Sequence, residues 1–180
     1  MIQTRPTSRR YFITIDLNMK RILPILILIT TWIIAGCSSQ TPAQEERSFD
    51  VYYIAIDNNG ERWPVIGCND SAVEMTKTVF EPYLAPEDAI RALLTTDASV
   101  YEPFGLYNVF EVSELELEQV IMSWNIALTY LSWQLVIWWV CDTPRVQAQL
   151  YYTTTQFDNI DDAIFFINDE PLVDILNQAN

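Results

Sequence analysis

The 180-residue chain reads as an α+β protein, a mixed β-sheet of about four to six strands with two main helices packed on one face. Three observations predict this. Runs rich in Val, Ile, Tyr and Phe recur along the chain, as half-buried and fully buried strands require. Two segments carry helix-start chemistry followed by apolar residues three and four apart. Their order is strand, helix, several strands, helix, strand, with no internal repeat of useful length.

The elements follow in chain order. Val51 to Asp57 is continuous, apolar and β-rich, and predicts a central strand covered on both faces. Asn58-Asn59-Gly60 is a turn signal, and Val73 to Phe80 looks extended. Pro86 opens a helix with Glu87 and Asp88 in its first turn, where the helix dipole favours anions. Ile90, Leu93 and Leu94 form its apolar face. Asp97 to Val112 is loop-like. Leu115 to Ser123 alternates, with Leu115, Leu117 and either Val120 or Ile121 inward. Asn125 to Val140 predicts two strands meeting near Ser132. Asp142 is a candidate N-cap for a second helix, with Pro144 in the first turn and Val146, Leu150, Thr153 and Phe157 as a buried stripe. Ala163 to Ile167 is a last apolar strand, and Leu172 to Leu176 a short closing helix.

The N-terminal residues belong to targeting rather than to this fold. Met19-Lys20-Arg21 is a short basic region, and Ile22 to Ile34 is an apolar run too short for a membrane span of roughly 20 residues. Ile34-Ala35-Gly36-Cys37-Ser38-Ser39 closes it and resembles the bacterial lipobox. In signals of that kind the chain is cut before the cysteine, whose thiol receives fatty acids such as palmitate. Residues 1–18 either extend the basic region or precede a true start at Met19, the reading preferred here. The expected organisation is therefore residues 1–36 as extension and signal peptide, 37–48 as a flexible tether, and 49–180 as the folded domain. The expected location is the extracytoplasmic face of the cell membrane, held through lipid on Cys37.

Removing residues 1–36 leaves five cations against 23 acidic side chains, a net charge of −18. Such a field repels nucleic acid and anionic lipid, favours solubility, and is compatible with basic partners. With Cys37 acylated, Cys68 and Cys141 remain. In an oxidising compartment an even pair most simply forms a disulfide, the alternative being two buried free thiols.

The chain has no histidine, so Ser-His-Asp triads, Cys-His pairs and His-containing zinc sites are excluded. No phosphate loop occurs, and Asp57 to Glu61 reads as a turn rather than a calcium loop. Carboxylates are abundant, but no pattern sets two of them in a cleft. No catalytic residue, metal or cofactor follows from the sequence.

Val120 to Cys141 is uncharged and as long as a membrane helix. Ser123, Asn125, Thr129, Ser132 and Gln134 interrupt it, and strands are the preferred reading. It also holds Trp133, Trp138 and Trp139. Two readings stand for these: core packing, which the β-forming surroundings favour, or an exposed apolar surface that binds a partner.

The C-terminal blocks carry a family resemblance. Cys141-Asp142-Thr143-Pro144-Arg145 opens a helix along which lie Gln149 and Thr153-Thr154-Thr155-Gln156-Phe157. A short break and a strand ending in Ile167-Asn168-Asp169 follow. With Gly67-Cys68-Asn69-Asp70 and Gly105-Leu106-Tyr107-Asn108, this order resembles the GerMN domain of sporulation and germination proteins and of many bacterial lipoproteins. The resemblance implies an α/β module outside the membrane, used for protein assembly or envelope binding, and no catalytic residues. The chain departs from that pattern where central turns are usually glycine. It has Trp133, Trp138-Trp139 and Asp169, and tryptophan does not readily take the positive φ that glycine allows.

The function expected is thus a non-catalytic, lipid-anchored binding or assembly module with an envelope-protein or cell-wall partner. The alternatives are an extracytoplasmic, carboxylate-dependent glycan hydrolase, or a membrane protein with a second span at 120–141.

Overall fold

A computed structural model of the chain describes residues 46–62, 64–79 and 85–178. The signal segment and Cys37 lie outside the described residues. Strand β1 (Arg47–Ala55) pairs antiparallel with β2 (Ser71–Val79) in unbroken register from Arg47↔Val79 to Ala55↔Ser71. Arg47 and Ser48, assigned from sequence to the tether, are thus the first residues of β1.

Helix α1 (Pro86–Thr95) starts as its sequence predicts, with Pro86 in the first turn and Ala89, Ile90, Ala92 and Leu93 buried. Two short 3-10 turns lead to β3 (Glu116–Ser123) and β4 (Ile126–Ser132). Helix α2 (Asp142–Thr155) then carries the chain back to β5 (Asp162–Ile167), which lies parallel to β4. Strand β6 (Glu170–Pro171) and helix α3 (Leu172–Gln178) close the domain. The second sheet has the order β3-β4-β5-β6 and is mixed.

The protein is therefore α+β, as expected, but its six named strands fall into two sheets rather than one. Helix α1 packs on β1 and β3, and α2 on β1, β5 and α1. A single apolar cluster draws on Val51 and Tyr53 from β1, Ile90 and Leu93 from α1, Leu131 from β4 and Leu150 from α2. Tyr53 and Tyr101 stack within it at 4.7 Å between ring centroids. Burial raises the pKa of both phenols; at Tyr101 the nearby Glu111 carboxylate adds to the effect.

A further expectation is corrected, an open choice is settled, and the preferred reading of residues 120–141 as strands rather than a membrane helix stands. Asn125 to Val140 forms one strand, not two. After Ser132 the chain leaves the sheet because Trp133 turns to φ 75°. Asn168 then holds the Trp133 backbone from across the sheet, with its Oδ1 accepting from Trp133 N at 3.1 Å and its Nδ2 donating to Trp133 O at 3.0 Å. Second, the open choice between Val120 and Ile121 is settled by a bulge between Leu117 and Gln119, which shifts the phase so that Val120 packs on the core and Ile121 is exposed. Third, residues 120–141 are the end of β3, the hairpin turn, β4 and a loop. Among the described residues no helix is long and apolar enough to cross a membrane.

The free edge of β1 is occupied in an unusual way. Side chains of α2 and of Gln156, the residue that caps its C-terminal end, replace a neighbouring strand. Thr153 Oγ1 accepts from Tyr52 N at 3.1 Å, Gln156 Oε1 from Asp50 N at 2.5 Å, and Gln149 Nε2 donates to Tyr52 O at 2.8 Å. Backbone groups that a two-stranded sheet leaves unpaired are thus satisfied by a polar row on a packed helix.

Candidate functional site

The sequence blocks named above converge on one buried node. Gly67 opens a tight turn in which Cys68 and Asn69 take φ 62° and 60°. A Cβ on Gly67 would sit 2.9 Å from Pro144 Cγ, so glycine is what lets this turn lie against the start of α2. Beside that contact Cys68 and Cys141 are joined as a disulfide, with a Cα–Cα distance of 5.8 Å and a sequence separation of 73. A loop of that length corresponds to about 4 kcal/mol in the chain-entropy description.

The aspartate of each block completes the node. Asp70 Oδ2 accepts from Arg145 Nε at 2.7 Å, and Asp142 Oδ1 from Arg145 Nη1 at 3.1 Å. Asp70 is fully buried and Asp142 nearly so. Their remaining oxygens are used as well. Asp70 Oδ1 accepts from Asp57 N at 2.7 Å, and Asp142 Oδ2 from Trp138 N at 2.9 Å and Trp139 N at 3.0 Å. Asp142 is therefore not the helix N-cap that its position suggests. Cys141 precedes the helix, and the Asp142 carboxylate reaches back to brace the incoming loop. The Arg145 guanidinium lies 5.8 Å from the Tyr107 ring centroid. Burial raises the Tyr107 pKa, the Asp142 charge raises it further, and Arg145 opposes both.

A second cluster joins the other blocks. Gln149 Oε1 accepts from Val109 N at 2.9 Å, and its Nε2 donates to Asn108 Oδ1 at 3.2 Å. Asn108 Nδ2 in turn donates to Leu93 O at 2.9 Å. The polar residues that carry the family resemblance are thus spent on tying β1, β2, α1 and α2 together. Both buried carboxylates are engaged by Arg145 and by backbone N–H groups. Glu114 and Glu116 line an open surface concavity, not a deep cleft. Among the described residues no group of three or more Cys, Asp and Glu side chains is arranged to hold a metal ion.

The tryptophans lie elsewhere. Trp133, Trp138 and Trp139 are 61%, 68% and 71% exposed, so the core-packing reading fails for all three. The structure also separates them. Trp138 and Trp139 sit in the loop held by Asp142 and Cys141, whereas Trp133 ends β4 beside Glu114 and Glu116. Trp124, not singled out from sequence, is 95% exposed at the β3–β4 turn. Trp124 and Trp133 both take positive φ, 58° and 75°, against the expectation that tryptophan avoids it. Asp169 does so too, at 66°, next to Asn168 at 50°, in the two-residue turn between β5 and β6.

Fold and site together define a stapled α+β scaffold that presents tryptophans at its surface. No protein-family model matches the chain, and no curated protein does. Solved structures similar to it include two from one protein. One is the tandem GerMN domains of the sporulation protein GerM from Bacillus subtilis, at 14% identity and a TM-score of 0.48, over 75% of this chain and 43% of that one. The other is the first GerMN domain of the same protein, at 18% identity and a TM-score of 0.45, over 69% of this chain and 85% of that one. The chain thus spans less than half the length of the tandem structure. Both are GerMN domains, the family that the sequence blocks resemble.

Proposed function

We propose that the protein is a non-catalytic, lipid-anchored module on the outer face of a bacterial membrane, where it binds an envelope protein or the cell wall. The observation that carries the binding role is the pair Trp138 and Trp139. Both side chains are mostly exposed, while their backbone N–H groups are fixed by a buried carboxylate and a disulfide ends their loop. Two large aromatic surfaces on a rigid loop bind at low entropic cost, because little remains to be ordered on association. The basic and apolar leader ending at Cys37 supports the anchor. The disulfide supports an oxidising compartment.

The test is made in intact cells. Labelled palmitate should enter the native chain and not Cys37→Ser, which should leave the membrane fraction. In-cell crosslinking should recover a defined partner with the native chain. The double variant Trp138→Ser/Trp139→Ser should lose that product while keeping its melting temperature. Unchanged crosslinking in the double variant would remove the loop from the function.

A further inference from the structure

Among the described residues, the exposed edge of β3 has no counterpart to the polar row that covers β1. Among the same described residues β3 ends the sheet order and pairs only with β4. Ser123 and Ile126 flank the two-residue turn, which makes them a hydrogen-bonded pair. By alternation Ile121 also bonds to β4, whereas Val120 and Met122 direct their backbone N–H and C=O groups away from the sheet. Edge strands are ordinarily protected by proline, lysine or inward charge. The bulge after Leu117 serves one half of β3, but residues 120–124 carry no charge and no proline, and Ile121 and Met122 are exposed at 43% and 39%.

The other end of this edge has a different chemistry. Glu114, Glu116 and Trp133, with Thr95 and Leu115, line an open concavity of about 460 Å³. Both carboxylates are exposed, and no ion pair among the described residues engages them. Two carboxylates beside an exposed indole are a receptor for an ammonium or guanidinium group. The chain's net charge of −14 attracts the same kind of partner.

We propose that the β3 edge receives an extended segment of a basic partner protein. Its backbone would pair with Val120 and Met122, and a Lys or Arg side chain would enter the concavity of Glu114, Glu116 and Trp133. This is strand addition with a charge anchor that sets its register. A second copy of the chain fits less well, because it brings the same acidic edge to meet this one. The site is separate from Trp138 and Trp139, so each reading can fail without the other.

The probe is a pair of β-forming peptides of about nine residues, long enough to cover one strand, one with two arginines near one end and one with two glutamates there. Each is titrated by calorimetry against the full-length chain in detergent micelles. The arginine peptide should bind and the glutamate peptide should not. Met122→Pro removes an outward N–H while leaving the β4 ladder intact, and should weaken the arginine peptide about tenfold. Glu114→Gln/Glu116→Gln should weaken it comparably and flatten its salt dependence. The glutamine pair carries the test by itself if the proline variant does not fold. Equal binding of the two peptides would overturn the proposal. So would undiminished affinity in the variants, or β3-to-β3 crosslinks between copies that the arginine peptide fails to displace.

Discussion

The node around Arg145 and the β3–β4 hairpin treat polar and apolar groups in opposite ways. At the node, Asp70 and Asp142 are withdrawn from water and every described carboxylate oxygen has a donor. At the hairpin, Ile121, Met122 and Trp124 face solvent, and Trp124 takes a backbone conformation that suits glycine. One region spends charge on rigidity. The other keeps apolar surface and a strained turn where packing does not require either. Residues that match a recognisable pattern hold the scaffold, and the tryptophans that depart from it lie on the surface.

This contrast predicts a ranking of effects. The largest belongs to the node. Arg145→Ala leaves two buried carboxylates without their cation, and removing one partner of a buried ionic group costs about 3–5 kcal/mol. Urea unfolding should show a loss of that size with an unchanged slope. A loss below about 1 kcal/mol, the range of an exposed ion pair, would mean that the node is wet and the contrast false. Next comes Gln149→Leu, which keeps the volume but strips the partners from Val109 N and Tyr52 O, while Asn108 Oδ1 keeps its bond from Phe110 N. Each buried group left unsatisfied costs about 1–3 kcal/mol, so a total of at least about 2 kcal/mol is expected. Hydrogen exchange should speed up at Tyr52 and Val109 before other core amides. Uniform acceleration would instead place Gln149 in general packing.

How much of this was legible in the sequence follows the same division. Pro86 with its acidic first turn announces α1 without help from the rest of the chain, since the signals are local. The apolar runs of β1 and β5 were readable because strand burial imposes a composition, and β2 by the apolar residues spaced along it. The failures are tertiary. Nothing near Ser132 shows that Asn168, far along the chain, will seize the Trp133 backbone and end the strand there. Asp142 carries the right chemistry for an N-cap, yet Arg145 and the loop N–H groups compete for it and win. The row Gln149, Thr153, Gln156 belongs to a helix whose polar side chains face a strand edge, so period alone did not show what they bind. Of the candidate site, both cysteines were found by counting. The exposure of the tryptophans was not, because uncharged β-formers read alike whether they point inward or out.

The smallest predicted effect has the opposite sign. Trp124→Gly should stabilise the domain. A non-glycine residue in the left-handed region pays about 1–2 kcal/mol, and Trp124 has φ 58° while its side chain is 95% exposed, so little burial is lost on removing it. Glycine returns about 0.4–1 kcal/mol of that gain through the greater freedom of its unfolded chain. The net is a stabilisation of somewhat under 1 kcal/mol, read as a rise of a few degrees in Tm. Asn125 O meanwhile accepts from Asp161 N at 2.8 Å, which ties the turn to the start of β5 whatever residue occupies position 124. A stabilising substitution at so exposed a site means that the tryptophan serves something other than folding, as strained residues at binding surfaces do. If Trp124→Gly lowers Tm instead, the indole is packing against the hairpin, and the division between scaffold and surface shifts by one residue toward the tip.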